Sequence, residues 1–359
     1  MWLRVTRAAG RVGIALGDAP KPTPSIWRSR GHDMQKVVLV TTGGTIASRM
    51  DPGRGYVAAS ASGHELLGLL PVPLADIAVE IDEFSHIGSF NMNLDLAFRL
   101  ARRIDAHLAR PDIAGVAVTH GTDTMEESAF LADLVVTSDK PVVFTGAQRN
   151  ADEPDTDGPR NLAQAIRLAA ADLRGLGAVI LFDQEFHAAR DVTKTHTYRT
   201  DTFTSMEHGK LGEIDGDRIC LHRRPLLRMT IATERIEPAV DLVKLVMGSD
   251  ARFVRCAVEA GAKGLVIEGF GRGNATLPVV EGAREAIAAG IAVVVTSRCP
   301  QGRTSPIYGG GGGGMDLAQA GAIFAGDLTG VKARVLLSVL LGSVASAAAI
   351  AACFAHLRG

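Results

Sequence analysis

Aromatic side chains are scarce in this chain: twelve Phe, three Tyr and two Trp make up 5% of its 359 residues. Cysteine is scarcer still. The four, Cys220, Cys256, Cys299 and Cys353, lie far apart, which excludes metal-type pairing and gives no disulfide framework. Each is expected as a small apolar residue, and reduced thiols point to a cytoplasmic protein. Charge of one sign is missing too: 38 Lys and Arg against 39 Asp and Glu leave a net −1. That gives no electrostatic case for nucleic acid or an anionic membrane as a partner. No uninterrupted apolar run reaches the roughly 20 residues that span a bilayer. The most apolar stretch, 335–355, contains Ser338, Gly342, Ser343 and Ser346 and reads as buried helices. No His, Cys and Asp cluster has metal-ligand spacing, so neither a metal nor a cofactor is expected.

Apolar residues nonetheless form 47% of the chain and are evenly spread, enough for a large core, and the length fits two domains. Residues 1–33 stand apart, with six Arg or Lys against two Asp and no apolar core of the kind a secretory signal needs. They read as a disordered extension before Met34. Beyond it, Val37–Thr41, Gly115–Thr119, Pro141–Thr145 and Ala178–Phe182 predict strands. Leu94, Ala97, Phe98, Ala101, Ile104 and Leu108 share one face of a helix over 93–110, and further helices are expected over 124–137 and 161–174. Thr124-x-x-Glu127 has the pattern of a capping box. The alternation breaks over 220–237, at His222-Arg223-Arg224-Pro225, and resumes through 264–268, 282–289, 291–296 and 331–341. The fold class is therefore α/β. A large N-terminal domain (34–222) with a mostly parallel sheet is expected, then a linker (223–245) and a smaller C-terminal α/β domain (246–359). The run Gly309–Gly314 reads as a flexible, low-complexity loop.

Two strand ends carry most of the chemistry: Thr41-Thr42-Gly43-Gly44-Thr45-Ile46-Ala47 and Thr119-His120-Gly121-Thr122-Asp123-Thr124-Met125-Glu126-Glu127. Open α/β sheets bind ligands at such carboxyl ends. A glycine turn there also suits phosphate, but the G-x-G-x-x-G and G-K-[ST] patterns are absent. Taken alone, Gly43-Gly44-Thr45 is equally a tight turn with Thr45 as polar filler. Thr122 and Asp123 can both cap a helix. With Thr124 and Glu127 supplying the cap they are left available, and the helix start favours a carboxylate at Asp123, suited to an ammonium group. By itself Lys194, in Val192-Thr193-Lys194-Thr195, is a surface lysine and Asn274, in Gly271-Arg272-Gly273-Asn274, a turn residue. His120 and His196 read as structural.

Together these segments resemble the bacterial-type L-asparaginase family, the asparaginase/glutaminase amidohydrolases, over nearly all of the chain from Met34 onward. The resemblance implies Thr45 as nucleophile and Tyr56, in Gly55-Tyr56-Val57-Ala58, as the flexible-loop tyrosine that helps activate it. It implies Thr122 as a second active-site threonine, Lys194 as a base buried beside it, and Asp123 as the group that holds the substrate α-amino group. Ser89, in Ile87-Gly88-Ser89-Phe90, matches the serine that binds the α-carboxylate, and Asn274 the asparagine contributed by a neighbouring subunit. Backbone N–H groups near Gly44 and Thr122 would hold the oxyanion.

The same resemblance implies hydrolysis of a small molecule, L-asparagine, to L-aspartate and ammonia through an acyl-enzyme on Thr45, in a homotetramer or at least a homodimer. Two departures bear on substrate choice. Phe90 stands where the family has a polar or small residue, and after Ser297-Arg298-Cys299-Pro300 there is no Asp or Glu before Asp316. An asparaginase-like subunit of a tRNA amidotransferase is the alternative enzyme; it calls for a tRNA-binding partner, and the sequence has no basic patch. An inactive amino-acid-binding module is the other alternative, against which Thr45, Tyr56, Thr122, Asp123 and Lys194 occurring together argue.

Overall fold

A computed structural model describes residues 2–8, 11–17, 34–51, 53, 56–59, 61–71, 73–343 and 346–357, with backbone course only at 2–8, 11–17, 49–51 and 56–59. The chain forms two compact units, one over residues 17–230 and the other made of residues 2–16 together with 231–359.

The first unit is built on an eight-stranded sheet. Its strands are β1 (Gln35–Gly43), β2 (Ile77–Ile87), β3 (Ile113–Thr119), β4 (Val142–Thr145), β5 (Ala178–Phe182), β6 (Glu185–Ala188), β7 (Gly212–Asp215) and β8 (Arg218–Leu221). Their order is β8-β7-β6-β5-β4-β3-β1-β2. From β5 through β2 every pairing is parallel, and β6, β7 and β8 add antiparallel hairpins at one edge. Val37, Val38, Leu39 and Val40 are all 0% exposed, because β1 is covered on both faces and needs no polar alternation. One face packs Val37, Leu39, Ala117, Val143 and Leu181 against Leu162, Ala165, Ile166 and Ala169 of the helix Gly158–Ala170. The sequence also marks α1 (Leu94–Leu108): Asn93 accepts a hydrogen bond from the Leu96 N–H at 2.9 Å as N-cap, and the six expected apolar positions are buried. Helices α2 (Met125–Val135) and α3 (Gly158–Ala170) follow β3 and β4.

Chain order against sheet order places the site. From β1 the chain moves out to β2 at the edge, then returns to β3 on the other side of β1. The carboxyl ends of β1 and β3 thus flank a switch point, where an open parallel sheet leaves a crevice.

The second unit holds a four-stranded parallel sheet, β9 (Val240–Lys244), β10 (Gly264–Gly269), β11 (Ala292–Ser297) and β12 (Ile323–Phe324), in that order. Its helices are α4 (Arg252–Glu259), α5 (Leu277–Ala288), α6 (Gly314–Ala320), α7 (Gly330–Ser343) and α8 (Ala347–Leu357). Leu265, Ile267, Val293, Val295 and Phe324 form its core with Val254, Val279 and Ala283. Two stretches differ from the sequence expectation. Val240–Lys244, read as part of a linker, pairs residue for residue with β10. Within the expected disordered extension, Trp2–Ala8 and Arg11–Gly17 form neighbouring strands, in keeping with the alternation of Val12, Ile14 and Leu16. Residues 9, 10 and 18–33 lie outside the described residues.

Candidate active site

Three loops converge at the carboxyl ends of β1, β2 and β3, and glycine makes the approach possible. Gly43 and Gly44 have φ of 101° and 84°, a region that side chains disfavour. A Cβ on Gly44 would fall 2.4 Å from the Gly121 backbone nitrogen, and one on Gly121 would fall 2.5 Å from Ser89 Oγ. The turn carrying Thr45 therefore meets the turn carrying Thr122 backbone to backbone, and the Ser89 side chain closes against the latter. Thr45 itself opens a 3₁₀ turn and is half-buried. That turn is tied down by Ser48 Oγ donating to Gly44 O at 2.7 Å and Thr42 Oγ1 donating to Thr119 O at 2.9 Å.

Beside it, Lys194 Nζ donates to Thr122 Oγ1 and to Asp123 Oδ1, both at 2.8 Å. An ammonium group only donates, so Thr122 accepts from it, and the Thr122 hydroxyl proton goes to Gln148 Oε1 at 3.0 Å. Thr122 is 5% exposed, whereas the Asp123 side chain is 55% exposed and open to a ligand. Lys194 lies in a two-residue strand paired with Phe203–Thr204, not in an irregular loop, and buried Glu126 holds it there. Glu126 Oε1 accepts from Thr193 Oγ1 at 3.0 Å and from the Lys194 N–H at 3.4 Å.

Of the expected residues, Gly44, Thr45, Ser89, Thr122, Asp123 and Lys194 are thus brought together in the first unit. Asn274 belongs to the second unit, where its Oδ1 accepts from the Gly314 N–H. The Tyr56 backbone pairs with Asp51 in a short antiparallel ribbon, and its side chain lies outside the described residues.

One local expectation is corrected. Thr124 is the N-cap of α2 but makes no side-chain cap; its hydroxyl donates to Ser89 O at 2.8 Å, a tertiary contact that outweighs the capping box. Ser89 Oγ in turn accepts from the Asp123 N–H at 3.2 Å. Among the N–H groups near Gly44, that of Gly44 itself is engaged, donating to Ile87 O at 3.1 Å. His120 is structural as expected: it is fully buried, with Nδ1 2.7 Å from Gly121 O, and burial pushes it down to about 4.

Gln148 and Glu126 are the residues that sequence reasoning missed. Gln148 follows β4, a third strand end beside the other two, so the rule that singled out Thr45 and Thr122 also reaches it. Its turn is anchored by buried Asp157, which accepts the Gln148 and Arg149 N–H groups at 3.1 and 3.0 Å. Gln148 Nε2 donates to Arg199 O at 3.3 Å, which fixes the amide with its oxygen toward Thr122.

Residues 36–227 match the family model for the asparaginase N-terminal domain, and residues 239–354 match that for the glutaminase/asparaginase C-terminal domain. The chain belongs to the asparaginase family. Among its relatives, the L-asparaginase of Bacillus licheniformis is 34% identical over 310 residues, 86% of this chain and 96% of that protein. The probable periplasmic L-asparaginase of Haemophilus influenzae is 34% identical over 319 residues, 86% of this chain and 89% of that protein. A glutamyl-tRNA(Gln) amidotransferase subunit of Methanosarcina mazei is 33% identical over 336 residues, 90% of this chain and 77% of that protein.

Proposed function

We propose that this protein hydrolyses L-asparagine to L-aspartate and ammonia with Thr45 as nucleophile. The observation that carries this reading is the Lys194–Thr122–Asp123 cluster beside the Gly44–Gly121 contact, one residue from Thr45. Asp123 offers an open carboxylate for the substrate ammonium, and Ser89 lies next to it for the α-carboxylate. Thr45 Oγ bonds to the side-chain amide carbon, the C–N bond breaks, and the threonine proton leaves with the nitrogen as ammonia. Water then adds to the aspartyl ester, frees aspartate and returns a proton to Thr45. Thr122 and Lys194 handle protons in both halves, and Tyr56 assists Thr45.

Asn274 completes the site of a neighbouring copy in a homotetramer or homodimer. Leu277, Ile307 and Tyr308, in the same unit, are 49%, 53% and 59% exposed, as suits a face covered by another protomer. A cytoplasmic location fits four cysteines free of disulfides. Among the described residues no helix is long and apolar enough to cross a membrane.

The deciding experiment is ammonia release by the purified protein from L-asparagine, L-glutamine and D-asparagine, with size-exclusion chromatography to fix the assembly. Turnover of L-asparagine by the protein alone is expected. The Methanosarcina relative supports a second reading, an amidotransferase subunit. A protein silent on free L-asparagine, yet active once a tRNA-binding partner is added, would establish that reading instead.

A further inference from the structure

The glycine run 309–314 has a specific course. Gly310 and Gly311 take φ of 91° and 102°, a Cβ on Gly312 would fall 2.8 Å from Ala275 O, and one on Gly313 would fall 1.9 Å from Tyr308 O. One carboxylate organises the run. Asp316 Oδ2 accepts the N–H groups of Gly311, Gly312 and Gly313 at 3.0, 2.9 and 2.9 Å. Those bonds, Gly312's foremost, hold its carboxyl below the usual carboxylate range. The next N–H, that of Gly314, donates to Asn274 Oδ1 at 3.0 Å, and the Ala275 N–H donates to Gly312 O at 2.8 Å.

A backbone N–H can only donate, so it decides which end of the Asn274 amide is oxygen and leaves the NH₂ as the donor end. The Asn274 backbone is pinned as well, exchanging hydrogen bonds with Phe270 at 2.8 and 2.9 Å. Asp316, the glycine N–H groups and the Asn274 amide thus form one relay, whose last member carries the donor end of use to a substrate.

We propose that Asp316 is a positioning residue for Asn274. By gathering three glycine N–H groups on one oxygen it sets the Gly314 N–H that orients the Asn274 amide, so that its NH₂ donates to the α-carboxylate of an amino-acid substrate. This rests on the asparaginase reading, in which Asn274 serves the site of a neighbouring copy. It also accounts for four members of the run: φ at Gly310 and Gly311 lies where side chains are disfavoured, and side chains at Gly312 and Gly313 would collide with backbone carbonyls.

The test is a double-mutant cycle on the full-length assembled protein, with steady-state kinetics on L-asparagine. Asp316→Ala is expected to raise KM about five-fold, the worth of roughly one hydrogen bond, with kcat within about two-fold. In an Asn274→Ala background the same change should leave KM where that single variant put it, because the effect passes through Asn274. Asp316→Asn, which keeps an acceptor oxygen, should fall between the wild type and Asp316→Ala, and it carries the cycle if Asp316→Ala does not assemble. An unmoved KM in the Asp316 variants overturns the proposal, as does an equal KM rise in the Asn274→Ala background, which marks a structural role alone. An Asn274→Ala enzyme with wild-type KM overturns it too. If the unmutated protein releases no ammonia from L-asparagine, the functional reading fails and takes this proposal with it.

Discussion

The Nζ of Lys194 lies 2.8 Å from the Oγ1 of Thr122, although 72 residues separate them in the chain. That bond removes Lys194 from the ranks of surface lysines and gives it, beside Asp123, a hydroxyl partner. Lys194→Met keeps the length of the stem and deletes the donor, while Thr122→Val keeps the shape and deletes the hydroxyl. Each is expected to lower kcat by about 10²–10⁴-fold, the usual range for a proton-transfer group, with assembly intact by size exclusion. A fully active Lys194→Met protein would return that lysine to a supporting role.

Thr45 sits in a turn already held by Thr42 and Ser48, so its own hydroxyl carries little of the local stability. Thr45→Ala should therefore fold with an unchanged melting temperature and lose about 10⁴–10⁶-fold in kcat, as expected when a nucleophile is removed. More than about a tenth of wild-type activity in Thr45→Ala would mean that another group attacks the amide.

How much of this was legible beforehand depends on which forces are local. The run Val37–Val40 and the face Leu94, Ala97, Phe98, Ala101, Ile104, Leu108 announce their elements because burial on two faces, or on one, dictates their period. The strands Glu185–Ala188, Gly212–Asp215 and Arg218–Leu221 are four residues each and partly exposed, too short for a period to emerge. In the site, strand ends and glycines mark Thr45, Thr122 and Asp123. Gln148 and Glu126 become partners only through contacts spanning 26 and 67 residues. The capping box failed for the same reason: Ser89 O, 35 residues away, takes the Thr124 hydroxyl. The glycine run looked featureless because its meaning lies in N–H groups, which every residue type but proline shares.

Asp123 Oδ1 is paired with Lys194, and the side chain is 55% exposed. Asp123→Ala is expected to lower kcat/KM for L-asparagine through loss of the ammonium counter-charge. Removing one partner of a close charge pair costs about 2–5 kcal/mol, and exposure places this one near the lower end, roughly 30-fold. Steady-state kinetics decide it: an unchanged kcat/KM rules out the α-amino role.

Acid should destabilise the fold before it protonates most carboxylates. Burial pushes His120 and His187 down from 6.5 to about 4 each, so both are neutral in the folded state at pH values where the unfolded chain binds protons. Between pH 6.5 and about 4 the unfolded state therefore holds more protons, and stability falls as pH falls through that window; above 6.5 neither histidine contributes a slope. Thermal unfolding of the wild type is expected to shift downward between about pH 7.5 and about pH 5. His120→Gln, which cannot titrate, should show a shallower shift even if its melting temperature is lower overall. Parallel pH profiles for the two proteins would exclude His120 as a source of the acid sensitivity.

Selectivity between asparagine and glutamine is expected to turn on Phe90 and on the segment after Pro300, where this chain departs from the pattern the family resemblance implies. Phe90 follows Ser89 directly, is 74% exposed, and its ring lies so close to Gly88 that a Cβ there would fall 2.5 Å from it. Gly88 thus lets a large apolar ring sit beside the residue assigned to the substrate carboxylate. After Ser297-Arg298-Cys299-Pro300, where the family resemblance implies an acidic anchor for the α-amino group in members that also hydrolyse glutamine, the first carboxylate is Asp316, whose Oδ2 already serves three glycine N–H groups. With fewer anchors and an added ring, glutamine, longer by one methylene, should be held poorly for attack. A methylene is worth about 1–3 kcal/mol in a pocket, roughly 10–200-fold. Glutamine is therefore expected to turn over weakly, with kcat/KM below that for asparagine by a factor in this range. Phe90→Gln should narrow the gap by giving the α-groups a polar neighbour. Equal kcat/KM for the two amides in the wild type would sink the idea, and a Phe90→Gln protein with unaltered selectivity would move the cause away from that ring.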